Sequence, residues 1–204
     1  MVISTNFWTL ARTAQAIGRG AATRKPLPFL LFFTDPERTP DIETAALRLP
    51  AGAAIVYRTF GDPQAETRAR GLMLIVRRRK LRLLIGADAA LAAKVGADGV
   101  HLPERLRGQI PYLKRRRMLV TCAAHSPLAA RRALAAGADA AVVSAIFPSR
   151  SPSAGKPIGP LRLARLVRRA GGPVYALGGV NDETARRLLP AGLVGLAAVE
   201  ALRT

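Results

Sequence analysis

Ala93-Lys-Val-Gly-Ala-Asp-Gly-Val-His101 is echoed downstream by Ala135-Ala-Gly-Ala-Asp-Ala-Ala-Val-Val143, and more weakly by Pro190-Ala-Gly-Leu-Val-Gly-Leu-Ala-Ala198. In each copy an Ala/Leu-rich segment of helical spacing stops at a glycine, and a short apolar run follows. Glycine just past a helix end accepts the left-handed conformation that closes the helix. The apolar run has the length and continuity of a strand buried on both faces. Each copy therefore reads as a helix-to-strand junction, and the copies lie about two βα units apart.

Working outward from these junctions gives eight strands: Phe29–Thr34, Ala54–Arg58, Leu81–Ile85, Gly99–Leu102, Met118–Ala123, Ala141–Phe147, Val174–Gly178 and Leu193–Val199. Helical or turn segments separate them, some opened by good caps such as Ser126-Pro127 and Asn181-Asp182. Strict alternation with short connections implies a parallel sheet covered by helices. Eight such strands predict a closed (β/α)₈ TIM barrel, with a doubly wound open sheet as the alternative. Little chain remains after the eighth strand for a covering helix. Residues 5–18 have an amphipathic pattern, Phe7-Trp8-x-Leu10-Ala11-x-x-Ala14-x-Ala16-Ile17, and are expected to pack there. The chain is thus expected to comprise a basic N-terminal helical extension, 1–27, and a barrel, 28–204.

The 204 residues suffice for one domain with a substantial core and carry a formal charge of +19. A strong positive charge raises affinity for polyanions. The Arg runs 77–79 and 115–117 fall at element ends, where they are solvated. No aromatic residues interleave with them, and no zinc or helix-turn-helix pattern accompanies them, so specific nucleic-acid recognition is not indicated. No apolar stretch approaches the ~18–20 residues of a membrane span. The single cysteine, Cys122, rules out an internal disulfide, suits a reducing cytoplasmic setting, and reads as a small buried hydrophobe. Neither oligomeric state nor a zinc site can be read from the residue pattern.

In barrels of this kind ligand groups lie at the C-terminal strand ends. That rule gathers Thr34-Asp35, Arg58, His101, Glu104, His125, Ser144 through Ser149, and Gly178-Gly179 on one rim. The paired glycines after strand seven let backbone N–H groups approach a phosphate at a helix start. The long loop 148–159 offers Ser149, Arg150, Ser151, Lys156 and Gly159, whose hydroxyls and cations suit phosphate oxygens. His125, preceding a helix at the rim, is an acid/base candidate. His101 alternates with apolar neighbours and reads as structural or as support for a neighbouring site residue.

At these residues a resemblance emerges. Ala97-Asp-Gly-Val-His-Leu102, Ser144-Ala-Ile-Phe-Pro-Ser149 and Ala176-Leu-Gly-Gly-Val180 resemble motifs of the thiamine phosphate synthase family and its relative, the thiazole tautomerase. Phe33-Thr-Asp35 and Tyr57-Arg58 are similar to that family's first and second strand ends, and the match runs in order over about residues 29–202. The resemblance implies a (β/α)₈ barrel of thiamine biosynthesis acting on small phosphorylated heterocycles. A synthase would join hydroxymethylpyrimidine diphosphate to thiazole phosphate with Mg²⁺. Arg58 and the Ser149/Ser151/Lys156 loop would then meet the diphosphate, while Gly178, Gly179 and the amides near Ala198 and Val199 would hold the thiazole phosphate. The Mg²⁺ end departs from the family pattern. Gly86-Ala87 stands where the family has Asn-Asp, Pro103-Glu104-Arg105-Leu106 replaces its Gly-Gln-x-Asp, Ala123 replaces its strand-five Ser, and Ser149-Arg150-Ser151-Pro152 replaces Thr-x-Thr-Lys. Asp88 and Glu104 are the remaining metal-ligand candidates. Two alternatives stand beside the synthase: a tautomerase-like enzyme with His125 as proton shuttle, and a non-catalytic barrel that binds a phosphorylated ligand.

Overall fold

The repeated phrase turns out to be a stitch between strands. In the computed structural model, which describes residues 5–23, 25–149 and 155–199, helix α4 (Ala89–Val95) ends at Gly96 with φ +68°. Asp98 then donates its N–H to Leu83 O (2.9 Å) and accepts the Leu83 N–H on its carboxylate (2.8 Å), while its carbonyl accepts Leu119 N–H (3.0 Å). The second copy repeats the device: Asp139 N–H donates to Val120 O (2.8 Å) and its carboxylate accepts the Val120 N–H (2.8 Å). The third copy keeps only the backbone half, Val194 N–H to Val174 O at 3.0 Å, because a valine stands where the aspartate would be. In the first two copies the carboxylate at the strand entry also satisfies a backbone N–H of the preceding strand.

All eight predicted strands are present: β1 (Leu30–Phe33), β2 (Ala54–Tyr57), β3 (Arg82–Gly86), β4 (Gly99–Leu102), β5 (Leu119–Ala124), β6 (Ala140–Val143), β7 (Val174–Ala176) and β8 (Gly195–Ala198). They pair in chain order, all parallel, and β1 closes on β8 through Leu30 opposite Leu196 and Phe32 opposite Ala198, so the open-sheet alternative falls. Alternate residues point inward, where Leu31, Phe33, Val56, Leu84, Val142 and Tyr175 fill the barrel. The outward residues join the helices in the larger core. The least periodic stretch, Leu72–Leu84, resolves into the end of α3 (Ala65–Arg79), a left-handed Lys80 (φ +54°) and the start of β3. Its hydrophobic period changes at Lys80, which is why no single period fits it. Strand β6 is shorter than expected because the chain after Val143 leaves it and lies along the end of β7, with Ile146 N–H on Leu177 O and Phe147 N–H on Gly178 O.

Between β7 and β8 helical coverage is thin: α8 (Asp182–Ala185) has one turn and continues as a 3₁₀ segment, Arg186–Ala191. Helix α1 (Thr5–Arg19) packs against this segment and against β8 and β1. Phe7, Leu10, Ala11, Ala14 and Ile17 are buried and belong to the same core cluster as Leu30, Phe32, Leu188 and Leu196. No helix among the described residues is long and apolar enough to cross a membrane.

Candidate active site

The rim at the C-terminal strand ends is built around Arg58, the first residue after β2. Thr34, fully buried after β1, accepts the Arg58 N–H on its hydroxyl (2.9 Å) and the Arg58 Nε–H on its carbonyl (2.7 Å). One terminal nitrogen donates to Asp35 Oδ2 at 3.2 Å. The guanidinium carbon lies 5.9 Å from the centre of the Phe33 ring and 4.8 Å from that of Phe60. Burial pulls the proton affinity of Arg58 down and the neighbouring Asp35 carboxylate raises it again. A guanidinium retains its charge at neutral pH under such shifts. What results is a partly exposed cation held by backbone, carboxylate and two rings, with its remaining N–H groups available to an anion.

Deeper in the mouth sits His101. Its Nδ1 lies 2.9 Å from Thr121 Oγ1, and its ring stands nearly perpendicular to that of Phe33 with centroids 4.8 Å apart. Burial, with a smaller contribution from the Arg58 charge, pushes its pKa down to about 3, so the imidazole is neutral. Cys122 is fully buried, and burial pushes its thiol up to about 11, which removes it as a nucleophile at neutral pH.

Ser144 follows β6 and is partly buried, and Ser149 is also partly buried; Lys156 is exposed, and Gly159 opens α7 (Gly159–Ala170) with φ +73°. Arg150 and Ser151 lie outside the described residues. Gly178 and Gly179 both have positive φ, +94° and +63°, and press on the loop after β6. A Cβ would come within 3.0 Å of Ala145 Cα at Gly178 and 2.4 Å of Pro148 O at Gly179. Turn geometry and close approach thus require both glycines. The helix-dipole part of the expectation does not hold, since α8 has four residues and opens with Asp182 and Glu183. Ala198 ends β8, and Val199 follows it, partly buried.

His125, just past β5, is exposed, and its Nδ1 lies 3.0 Å from Glu104 Oε2. Asp88 caps α4 by accepting the Leu91 N–H on its carboxylate at 2.8 Å. The two metal-ligand candidates are therefore each engaged elsewhere. Among the described residues no group of three or more His, Cys, Asp or Glu side chains converges on a common point. A Mg²⁺ ion bound with substrate phosphates takes one or two carboxylates free to face it. Asp88 and Glu104 each have one carboxylate oxygen engaged, by the Leu91 N–H and by His125 Nδ1.

Two contributors escaped the sequence reading. Asp35 was placed on the rim but not as the partner of Arg58, and Phe60 was not singled out. The available signal was Phe60-Gly61-Asp62, a turn former directly after a strand end. A second concavity, about 540 Å³, opens between the start of α7 and the 3₁₀ segment, with Arg162, Arg165 and Arg187 around the exposed Leu161. Its described lining is apolar residues and arginines, with no acid, base or nucleophile among them.

Residues 30–202 match the family model described as "Thiamine monophosphate synthase". A thiamine-phosphate synthase of Alcanivorax borkumensis is 36% identical over 187 residues, 85% of this chain and 84% of that protein. A thiamine-phosphate synthase of Methylobacillus flagellatus is 33% identical, over 84% of this chain and 83% of that protein. Among solved structures, a thiamine phosphate pyrophosphorylase from Pyrococcus furiosus superimposes with a TM-score of 0.71 at 26% identity, covering 83% of this chain and 84% of that one. With barrel, rim motifs and similarity over residues 30–202 in agreement, the chain belongs to the thiamine monophosphate synthase family.

Proposed function

We propose that the chain is a transferase that joins hydroxymethylpyrimidine diphosphate to thiazole phosphate, forming thiamine phosphate and releasing diphosphate. The observation that carries this reading is the framed Arg58 at the mouth of a barrel whose whole length matches the family. In the reaction the bond from the pyrimidine methylene carbon to the diphosphate oxygen breaks, and its electron pair leaves with the diphosphate. The lone pair of the thiazole nitrogen forms the new C–N bond. Negative charge accumulates on the departing diphosphate, so a fixed donor aimed there lowers the barrier without reorganising. Arg58 fills that role, supported by Ser149, Ser151, Arg150 and Lys156 of the loop after β6 and by Ser144. The N–H groups of Gly178, Gly179, Ala198 and Val199 receive the thiazole phosphate. No step is routed through a metal; Arg105, exposed in the 3₁₀ turn after β4, adds positive charge at that end. Phosphorylated substrates and the unbridged cysteine fit a cytoplasmic enzyme.

The test compares variants of the purified chain with both substrates. Arg58→Ala is expected to lower kcat/KM about a hundredfold or more, while His125→Ala keeps most of the activity. A second reading is favoured by the His125–Glu104 pair, since the carboxylate fixes Nδ1 and leaves Nε2 free to shuttle a proton on a thiazole carboxylate phosphate. Thiazole isomerisation abolished by His125→Ala, with no thiamine phosphate formed by the wild type, would establish that reading instead.

A further inference from the structure

Phe60 occupies a place in which an aromatic residue is hard to explain structurally. It is 60% exposed, so it adds little to the core. Its φ is +48° and that of Gly61 is +82°, and Asp62 N–H donates to Thr59 O at 2.8 Å. Positive φ at both central residues defines a type I′ turn, whose first central position favours Asn, Asp or Gly. A bulky residue there is an outlier held against its own preference. The turn does not need the ring to hold it. Asp62 anchors it by accepting the Gln64 N–H at 2.8 Å, pairing with Arg68 Nε at 2.8 Å and accepting the Tyr57 hydroxyl at 3.4 Å. What the ring does is lie against the Arg58 guanidinium, 4.8 Å from centroid to carbon, with most of its surface left to solvent at the barrel mouth.

We propose that Phe60 is the stacking platform of the site, the subsite that receives the planar heteroaromatic ring of the diphosphate-bearing substrate. This rests on the synthase reading and names the residue that recognises the ring. Only a methylene and an oxygen separate that ring from the first phosphorus. A diphosphate held by the open edge of Arg58 therefore carries its ring beside the nearest exposed aromatic face, which is Phe60. Ring stacks ring in offset or edge geometry, and the cation behind Phe60 holds that ring in place.

The experiment is steady-state kinetics on four variants with both substrates, together with inhibition by inorganic diphosphate, which has no ring. Phe60→Ala is expected to raise KM for the pyrimidine diphosphate about tenfold. Its kcat, its KM for thiazole phosphate and its inhibition by diphosphate should each stay within about twofold, well inside a single stacking contact. Phe60→Tyr and Phe60→Trp restore KM, whereas Phe60→Leu, apolar but without a π face, behaves like alanine. An unchanged KM in Phe60→Ala, or full rescue by leucine, overturns the proposal while leaving the synthase reading intact. Diphosphate inhibition that weakens in parallel with KM also overturns it, since Phe60 would then only orient Arg58. A wild type that forms no thiamine phosphate overturns the synthase reading and this proposal with it.

Discussion

Substituting Leu10 by alanine tests whether the N-terminal helix is part of the barrel's packing or an appendage. Leu10 is 1% exposed and lies in one cluster with core residues of β1, β8 and the 3₁₀ segment. Removing a leucine side chain from such a site forfeits its transfer free energy and leaves a cavity, at a cost of about 3–5 kcal/mol. For a domain of this length each kcal/mol shifts Tm by roughly 2–4 °C. The expected fall is therefore on the order of 10 °C in a scanning-calorimetry or circular-dichroism melt. Urea unfolding should show a lower midpoint with an unchanged slope, since the surface exposed on unfolding is the same. Arg12, exposed on the opposite side of the same helix, is the control, and Arg12→Ala should stay within about 0.5 kcal/mol of wild type. If Leu10→Ala and Arg12→Ala melt together at the wild-type temperature, α1 does not cover the β8–β1 face.

Three further outcomes follow from the geometry. Gly99→Ala places a Cβ 1.8 Å from the Leu119 carbonyl oxygen, and backbone cannot yield as a side-chain tip can, so this variant should be recovered only as insoluble or unfolded protein. Soluble Gly99→Ala with a near-wild-type melt would refute the β4–β5 register. His101 binds no proton in the folded chain until pH falls toward about 3, whereas an unfolded histidine gains one near pH 6.5. The unfolded state therefore binds more protons as pH drops through 6.5, and folding stability falls. From this group alone about 2 kcal/mol is lost between pH 7 and pH 5, which urea titrations at the two pH values measure; His101→Gln should flatten that slope, and an identical slope in the variant would exclude His101 as its source. Because Asp88 and Glu104 are engaged elsewhere, chelating Mg²⁺ is expected to leave a substantial part of thiamine phosphate formation. Complete loss restored by added Mg²⁺ would show that these carboxylates turn to a metal when substrate binds.

The barrel was legible because its punctuation is local. Gly96, Gly137 and Gly192 mark helix ends whatever surrounds them, and the apolar runs behind them keep strand length. The aspartates in the phrase were visible, but not their purpose. Asp98 and Asp139 bond to Leu83 and Val120, on strands that only the closed sheet brings beside them. The rim was legible as a set of strand ends, and Arg58 stood out within it. Its frame was not, because Thr34 and Asp35 reach it across β1 and β2 and Phe60 reaches it through a backbone turn that residue identity argues against. The expected helix dipole behind Gly178-Gly179 failed for a local reason. Asn181 and Thr184 form a good capping box, yet the segment tightens to 3₁₀ geometry after one turn, with Pro190 inside it.

If the synthase reading holds, this barrel mouth couples two phosphorylated heterocycles with loss of diphosphate. The direct measurement is a single incubation of purified chain with hydroxymethylpyrimidine diphosphate and thiazole phosphate, with mass-spectrometric quantitation of thiamine phosphate and enzymatic quantitation of diphosphate. Both products are expected to appear in equal amounts, only when both substrates are present, and Arg58→Ala is expected to suppress both together. Diphosphate release without thiazole phosphate, or no thiamine phosphate from protein shown to be folded, would contradict that reading.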